Sequence, residues 1–83
     1  MSIQYQKKIA IFQETIGVEE AEGLLEWLLK NPKGRVNLAN CQHLHAANLQ
    51  VLMAAKPAVA AWPRDISLRA WLESALKKSS IGE

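Results

Sequence analysis

The chain has 83 residues, 49% of them hydrophobic and 22% charged, with ten Lys and Arg against eight Asp and Glu. That length makes one domain, and a chain so short buries only about 60% of the surface its unfolded form exposes, which leaves little material for a deep catalytic cleft. The net charge of +2 is too balanced, and its lysines and arginines too scattered, for nucleic acid or an anionic membrane to be the main partner.

Ile3 and Tyr5 alternate with polar Ser2, Gln4 and Gln6, which reads as a short edge strand. A second strand runs from Ile9 to Glu14, apolar on both faces. Gly17 breaks that pattern, and from Val18 to Lys30 the spacing is helical. Val18, Ala21, Leu24, Leu25, Leu28 and Leu29 form one stripe, with Glu19, Glu20, Glu22 and Glu26 largely off it. The acids lie toward the N-terminus and Lys30 at the C-terminus, as the helix dipole favours. Gly23 costs this helix roughly 1 kcal/mol relative to alanine, which suggests a point of close packing. Asn31-Pro32-Lys33-Gly34 ends it with turn chemistry.

Arg35 to Ala39 reads as a third strand, followed by an irregular connection from Asn40 to His45. Ala46 to Lys56 is almost pure helix former, stopped by Pro57. Ala58 to Trp62, between Pro57 and Pro63, reads as a kinked helical continuation or a buried loop. Asp65 to Arg69 alternates like a short strand. Ala70 to Lys78 reads as the last helix, with Ser79 to Glu83 as a frayed tail. Strands separated by helices imply parallel pairing through right-handed crossovers. The expected fold class is therefore α/β, a small sheet of three or four mostly parallel strands packed with about three helices.

Arg35 to Leu52, RVNLANCQHLHAANLQVL, resembles the signature segment of STAS domains, the family that includes the bacterial anti-sigma factor antagonists and domains of sulfate transporters. The family pattern is an apolar strand ending in Asp/Asn-Leu-Ser, a short loop, and Asp-Ser-Ser/Thr-Gly-Leu opening a helix. Val36-Asn37-Leu38-Ala39 stands in the place of the strand, and Leu44-His45-Ala46-Ala47-Asn48-Leu49 in that of the loop and helix start. The resemblance extends from Ile9 to about Leu76. It departs from the pattern at the polar positions: His45 stands for the Asp, Ala46 for the phosphorylatable Ser and Asn48 for the Gly. The resemblance implies a STAS-like interaction domain whose partner is an anti-sigma factor or kinase-like regulator. The partner surface would include Gln42, His43, His45, Ala46 and Asn48. Alanine has no hydroxyl, so the phosphate that adds about −1.5 to −2 of charge in regulated members cannot be placed at Ala46. The alternative is a constitutive subunit or adaptor of a membrane transport or chemotaxis assembly.

Other residues carry weaker signals. Cys41, His43 and His45 are spaced two apart and in an extended segment would share a face. Cys and His suit zinc, but no fourth Cys or His completes a tetrahedral set, so no metal is expected. His45 has no Ser or Thr beside it in the motif to activate as a nucleophile; a local backbone contact or a partner-facing role suits it better. Trp27, off the main apolar stripe, is a candidate partner anchor, and Trp62 between its prolines is another, since tryptophan is enriched at interface hot spots. The acidic helix face is a solvated surface or a steering patch for a basic partner. The apolar residues Val59 to Trp62 are many for so small a core, which raises a homodimer as an option. No Walker loop, GxSxG elbow, paired zinc motif or dinucleotide fingerprint is present. The reading is a non-enzyme without cofactor. The lone Cys41 permits no intrachain disulfide and fits a reducing compartment. The N-terminus MSIQYQKKIAIF lacks the apolar run of a signal peptide. Val51 to Trp62, broken by Lys56 and Pro57, is too short to span a bilayer, so the expected location is cytoplasmic.

Overall fold

The computed structural model describes residues 2–81, with side chains to residue 76. The fold is α/β: a four-stranded, mostly parallel sheet with three α-helices. The strands are β1 (Ile3–Tyr5), β2 (Ile9–Ile16), β3 (Arg35–Leu44) and β4 (Ala58–Ala61). The helices are α1 (Ala21–Lys30), α2 (Ala46–Ala55) and α3 (Ile66–Ile81), with a 3-10 turn Val18–Glu20 leading into α1. Sheet order follows chain order, β1-β2-β3-β4. β1 pairs antiparallel with β2, whereas β2–β3 and β3–β4 are parallel.

Period-two burial along the strands decides which face packs. Ile3, Ala10, Phe12, Val36 and Leu38 are buried on one side, where Leu24 and Leu28 of α1, Leu49 and Leu52 of α2, and Leu68 and Leu72 of α3 meet them in a single core. Ile9, Ile11 and Asn37 lie half-exposed on the other side, with Gln4 and Arg35 open to solvent. Both β-α-β crossovers step in the same direction across the sheet, so right-handed connections put α1 and α2 on one face.

Four expectations are corrected by the structure. The segment Asn40 to Leu44 is strand and not irregular loop: β3 continues to Leu44. It was obscured by two register slips against β2, between Ile11 and Gln13 and between Glu14 and Thr15. Each slip resets the alternation that marks a strand. Ala58 to Ala61 is the edge strand β4 and not a helical continuation. α2 stops because Lys56 adopts a left-handed backbone, φ 51°, and donates its N–H to the Leu52 carbonyl, and Pro57 cannot continue the helix. Asp65 to Arg69 is not a strand. The Asp65 carboxylate accepts the Leu68 N–H at 2.9 Å, an N-terminal cap that starts α3 at Ile66. The apparent alternation fails because Ile66 is 84% exposed while Leu68 is buried. Lastly, Gly23 marks no close packing. A methyl there would sit 3.9 Å from the Tyr5 hydroxyl, an ordinary contact.

Close approach occurs instead at Gly34, where a Cβ would lie 2.7 Å from the Trp27 ring. Asn31 closes α1 through its N–H and its side-chain amide, both donating to the Trp27 carbonyl at 2.9 and 2.8 Å. The α3 backbone is helical to Ile81, through part of the segment expected to fray; residues 82 and 83 lie outside the described residues.

Candidate functional site

Parallel strands point their C-terminal ends to one edge of the sheet, and in open α/β folds that edge is where sites are built. Here that edge is formed by Ile16-Gly17 and Leu44-His45, whereas β4 ends at Ala61 opposite Asn37, well short of it. The slip between Glu14 and Thr15 changes the phase of β3 against β2. Cys41 turns into the core at 1% exposure, Gln42 and His43 are both exposed, and Leu44 is buried again. Cys41, His43 and His45 therefore do not share a face. No group of three His, Cys, Asp or Glu side chains among the described residues is placed to hold a metal ion.

His45 is the N-cap of α2. It sits in extended backbone, and its Nδ1 accepts the Ala47 N–H at 3.0 Å. That satisfies one of the helix's unpaired amides. The side chain remains exposed, and Ala46 beside it is exposed in the first turn of the helix. Gln42, His43, His45 and Ala46 are thus all exposed at the β3–α2 junction, on either side of buried Leu44.

Asn48 departs from the expected partner surface because it is fully buried. Its side-chain amide donates to the Gly17 carbonyl at 2.8 Å. That bond ties the first turn of α2 to the exit of β2, two elements 31 positions apart in sequence. Its Oδ1 has no partner. Trp27 lies at the opposite end of the sheet. It is half-buried, stacked at 5.5 Å on Tyr5 and laid over Gly34 before β3 begins. The structure does not bring it together with Gln42 to Ala46. Trp62 is likewise half-buried against the core. Among the acids of the first helix, Glu20 accepts the Ser2 N–H at 3.2 Å, and Glu26 meets Lys30 at 3.6 Å in an exposed pair.

Next to the exposed surface is a groove that the sequence did not announce. Glu14, Asn40, Gln42, Arg64 and Asp65 line a depression of about 530 Å³. It meets a second of about 290 Å³, bounded by Gln42, His43, Leu44, Ser67, Leu68 and Trp71. Glu14 has φ 57°, an uncommon conformation for a non-glycine residue, at the second register slip. Of these groups the sequence marks only Gln42 and His43, as partner-facing; Glu14, Asn40, Arg64, Asp65 and Trp71 join them through the fold.

Burial pushes the Cys41 thiol up to about 11, from an ordinary 9.0. Its S–H donates to the His43 carbonyl at 3.7 Å. Tyr5 is also raised, by burial first and then by the negative charge of Glu20. Both groups have folded values above their unfolded ones, so the stability they contribute is present at neutral pH and is lost as pH rises. For Cys41 the window runs from 9.0 to about 11. Discounted for solvent screening, the expected loss is on the order of 1–2 kcal/mol. Urea melts at pH 8 and pH 11 should show it, and Cys41→Ala should flatten the dependence in that range. An unchanged slope in the variant would place the alkaline loss elsewhere.

No helix among the described residues is long and apolar enough to cross a membrane. In comparisons with known proteins, the chain matches no family model and no curated sequence.

Proposed function

We propose that the chain is a non-catalytic, STAS-like protein-interaction domain, resembling the anti-sigma factor antagonists and acting in the cytoplasm. Its partner would be a kinase-like or sigma-regulating protein. The observation that supports this reading most is the exposed surface of Gln42, His43, His45 and Ala46 at the C-terminal edge of the sheet. It coincides with the region that the family resemblance marks as the partner surface. Asn48 and Trp27 do not join it. Asn48 acts from beneath, by fixing the first turn of α2.

The test is a substitution that changes the surface without disturbing the fold. Ala46 is exposed in the first turn of α2, where a carboxylate is favourable to the helix dipole. Ala46→Asp should therefore leave thermal stability unchanged or slightly higher. It should weaken a partner co-purified from the native cell by about tenfold or more, through added charge and desolvation at the contact. Undiminished binding in a calorimetric titration would remove this surface from the interface.

The second reading is a constitutive subunit or adaptor of a transport or chemotaxis assembly. It is favoured by one feature, the absence of a hydroxyl at exposed Ala46. Co-purification distinguishes the two. An exchangeable soluble regulator supports partner switching, and a membrane assembly component in fixed stoichiometry supports the subunit.

A further inference from the structure

β4 covers only the first part of β3. The β3–β4 pairing runs from Arg35 to Asn37, and the last bond along it is the long Arg64 N–H to Ala39 carbonyl contact at 3.4 Å. β3 continues to Leu44 with β2 on one side and no strand on the other among the described residues. A strand paired on one side only presents unpaired N–H and C=O groups along its free edge. Here that edge forms one wall of a groove. The start of α3 forms the other, with Ser67 and Trp71 one helical turn apart on the groove side.

A free strand edge facing a helix across a groove selects one kind of occupant: the main chain of an extended peptide, which adds as a further strand. The side chains narrow its chemistry. At one end Trp71, 43% exposed, stands beside buried Leu68 and offers an apolar seat. Glu14 stands with Arg64 at the other end and Asp65 lines both halves, so two acids face one base and the groove carries a net negative charge. We propose that the groove between the free edge of β3 and α3 binds an extended peptide segment of a partner protein. The peptide pairs with Asn40 to Leu44, sets an apolar side chain on Trp71, and directs a lysine or arginine toward Glu14 and Asp65. This rests on the reading of the chain as an interaction domain and names how that partner is held. It uses a surface beside Ala46 but not including it.

The probe is a library of random linear octapeptides displayed on phage and selected against the full chain. Enriched sequences should combine a basic residue with an apolar one. A selected peptide should shift the backbone amide signals of Asn40 to Leu44 and the Trp71 indole signal in NMR spectra. N-methylation of alternate peptide amides should abolish binding. Trp71→Ala should weaken it at least about tenfold, as expected for a tryptophan anchor. Glu14→Gln should weaken basic peptides selectively and lessen their salt dependence. Selection without enrichment, or peptides whose shifts fall outside the groove, would overturn the proposal. Concentration-dependent shifts of Asn40 to Leu44 without peptide would also overturn it, because the edge would then belong to a second copy. The outcome separates from that of the broader reading. A native partner lost with Ala46→Asp but retained with Trp71→Ala leaves the interaction domain standing and removes the groove.

Discussion

Asn48→Asp is expected to cost about 3 kcal/mol or more, the price of an uncompensated charge in a buried polar site. The side chain is 0% exposed, and its amide is the donor to the Gly17 carbonyl. Aspartate replaces that donor with a second acceptor and brings a negative charge that meets no cation. The unpartnered Oδ1 shows that the site has no spare donor for a carboxylate. For a domain of this size the loss is a drop in Tm of roughly 4–8 °C per kcal/mol. The variant has an internal control in pH. A protonated carboxyl can donate to Gly17, so the gap between variant and parent should narrow at pH 4 relative to pH 8. Asn48→Leu removes the polar group without adding charge, and should cost less, about 1–3 kcal/mol for the carbonyl left unpaired. Equal melting temperatures for Asn48→Asp and the parent at pH 8 would mean that the tie between α2 and β2 carries no weight.

Phe12→Ala should cost about 3–5 kcal/mol. Phe12 is the largest of the fully buried side chains, and it lies opposite Ile3 on the core face of the sheet. Alanine there leaves a void beneath three strands and removes much of what holds short β1 to the sheet. Since total stability for this length is only about 4–12 kcal/mol, the variant would be marginal at 37 °C. Phe12→Leu preserves most of the volume and should recover the larger part of the loss. Urea titration of the three proteins gives the order. An alanine variant within about 1 kcal/mol of the parent would show that the core closes over the gap.

The parts of the fold that were legible are those where one physical signal acts alone. β1 declared itself by apolar alternation, β2 by a short run apolar on both faces, and α1 by its stripe, with Leu24 and Leu28 inside. α2 was legible through composition and its stop at Pro57. The failures occur where two signals compete. In β3, Gln42 and His43 both face solvent because of the slip against β2, so the second half of the strand reads as loop. In β4, the sequence Ala-Val-Ala-Ala favours a helix, but prolines on both sides and pairing with Arg35 to Asn37 make it a strand. At Asp65, a capping carboxylate preceded two apolar residues whose spacing suggested a strand; only tertiary packing separates exposed Ile66 from buried Leu68. The site was legible in part. Gln42, His43, His45 and Ala46 lie together because neighbours in sequence join β3 to α2. The burial of Asn48 depends on Gly17, far away in sequence, and the groove depends on Arg64, Asp65 and Trp71 arriving from another element. Neither leaves a periodic trace.

The unbroken strand order β1-β2-β3-β4 bears on how the molecule is made. Each strand adds to the edge left by the one before it, so no strand waits for a later one to be inserted between it and its neighbour. During synthesis from the N-terminus, every new element meets its docking surface already present. The connections that close are short ones, whose entropic cost is lowest. Only α3, which supplies Leu68 and Leu72, arrives after the sheet is complete. Before α3 docks, the chain is therefore a sheet with part of its apolar underside uncovered, and that is the state most exposed to aggregation or to a chaperone.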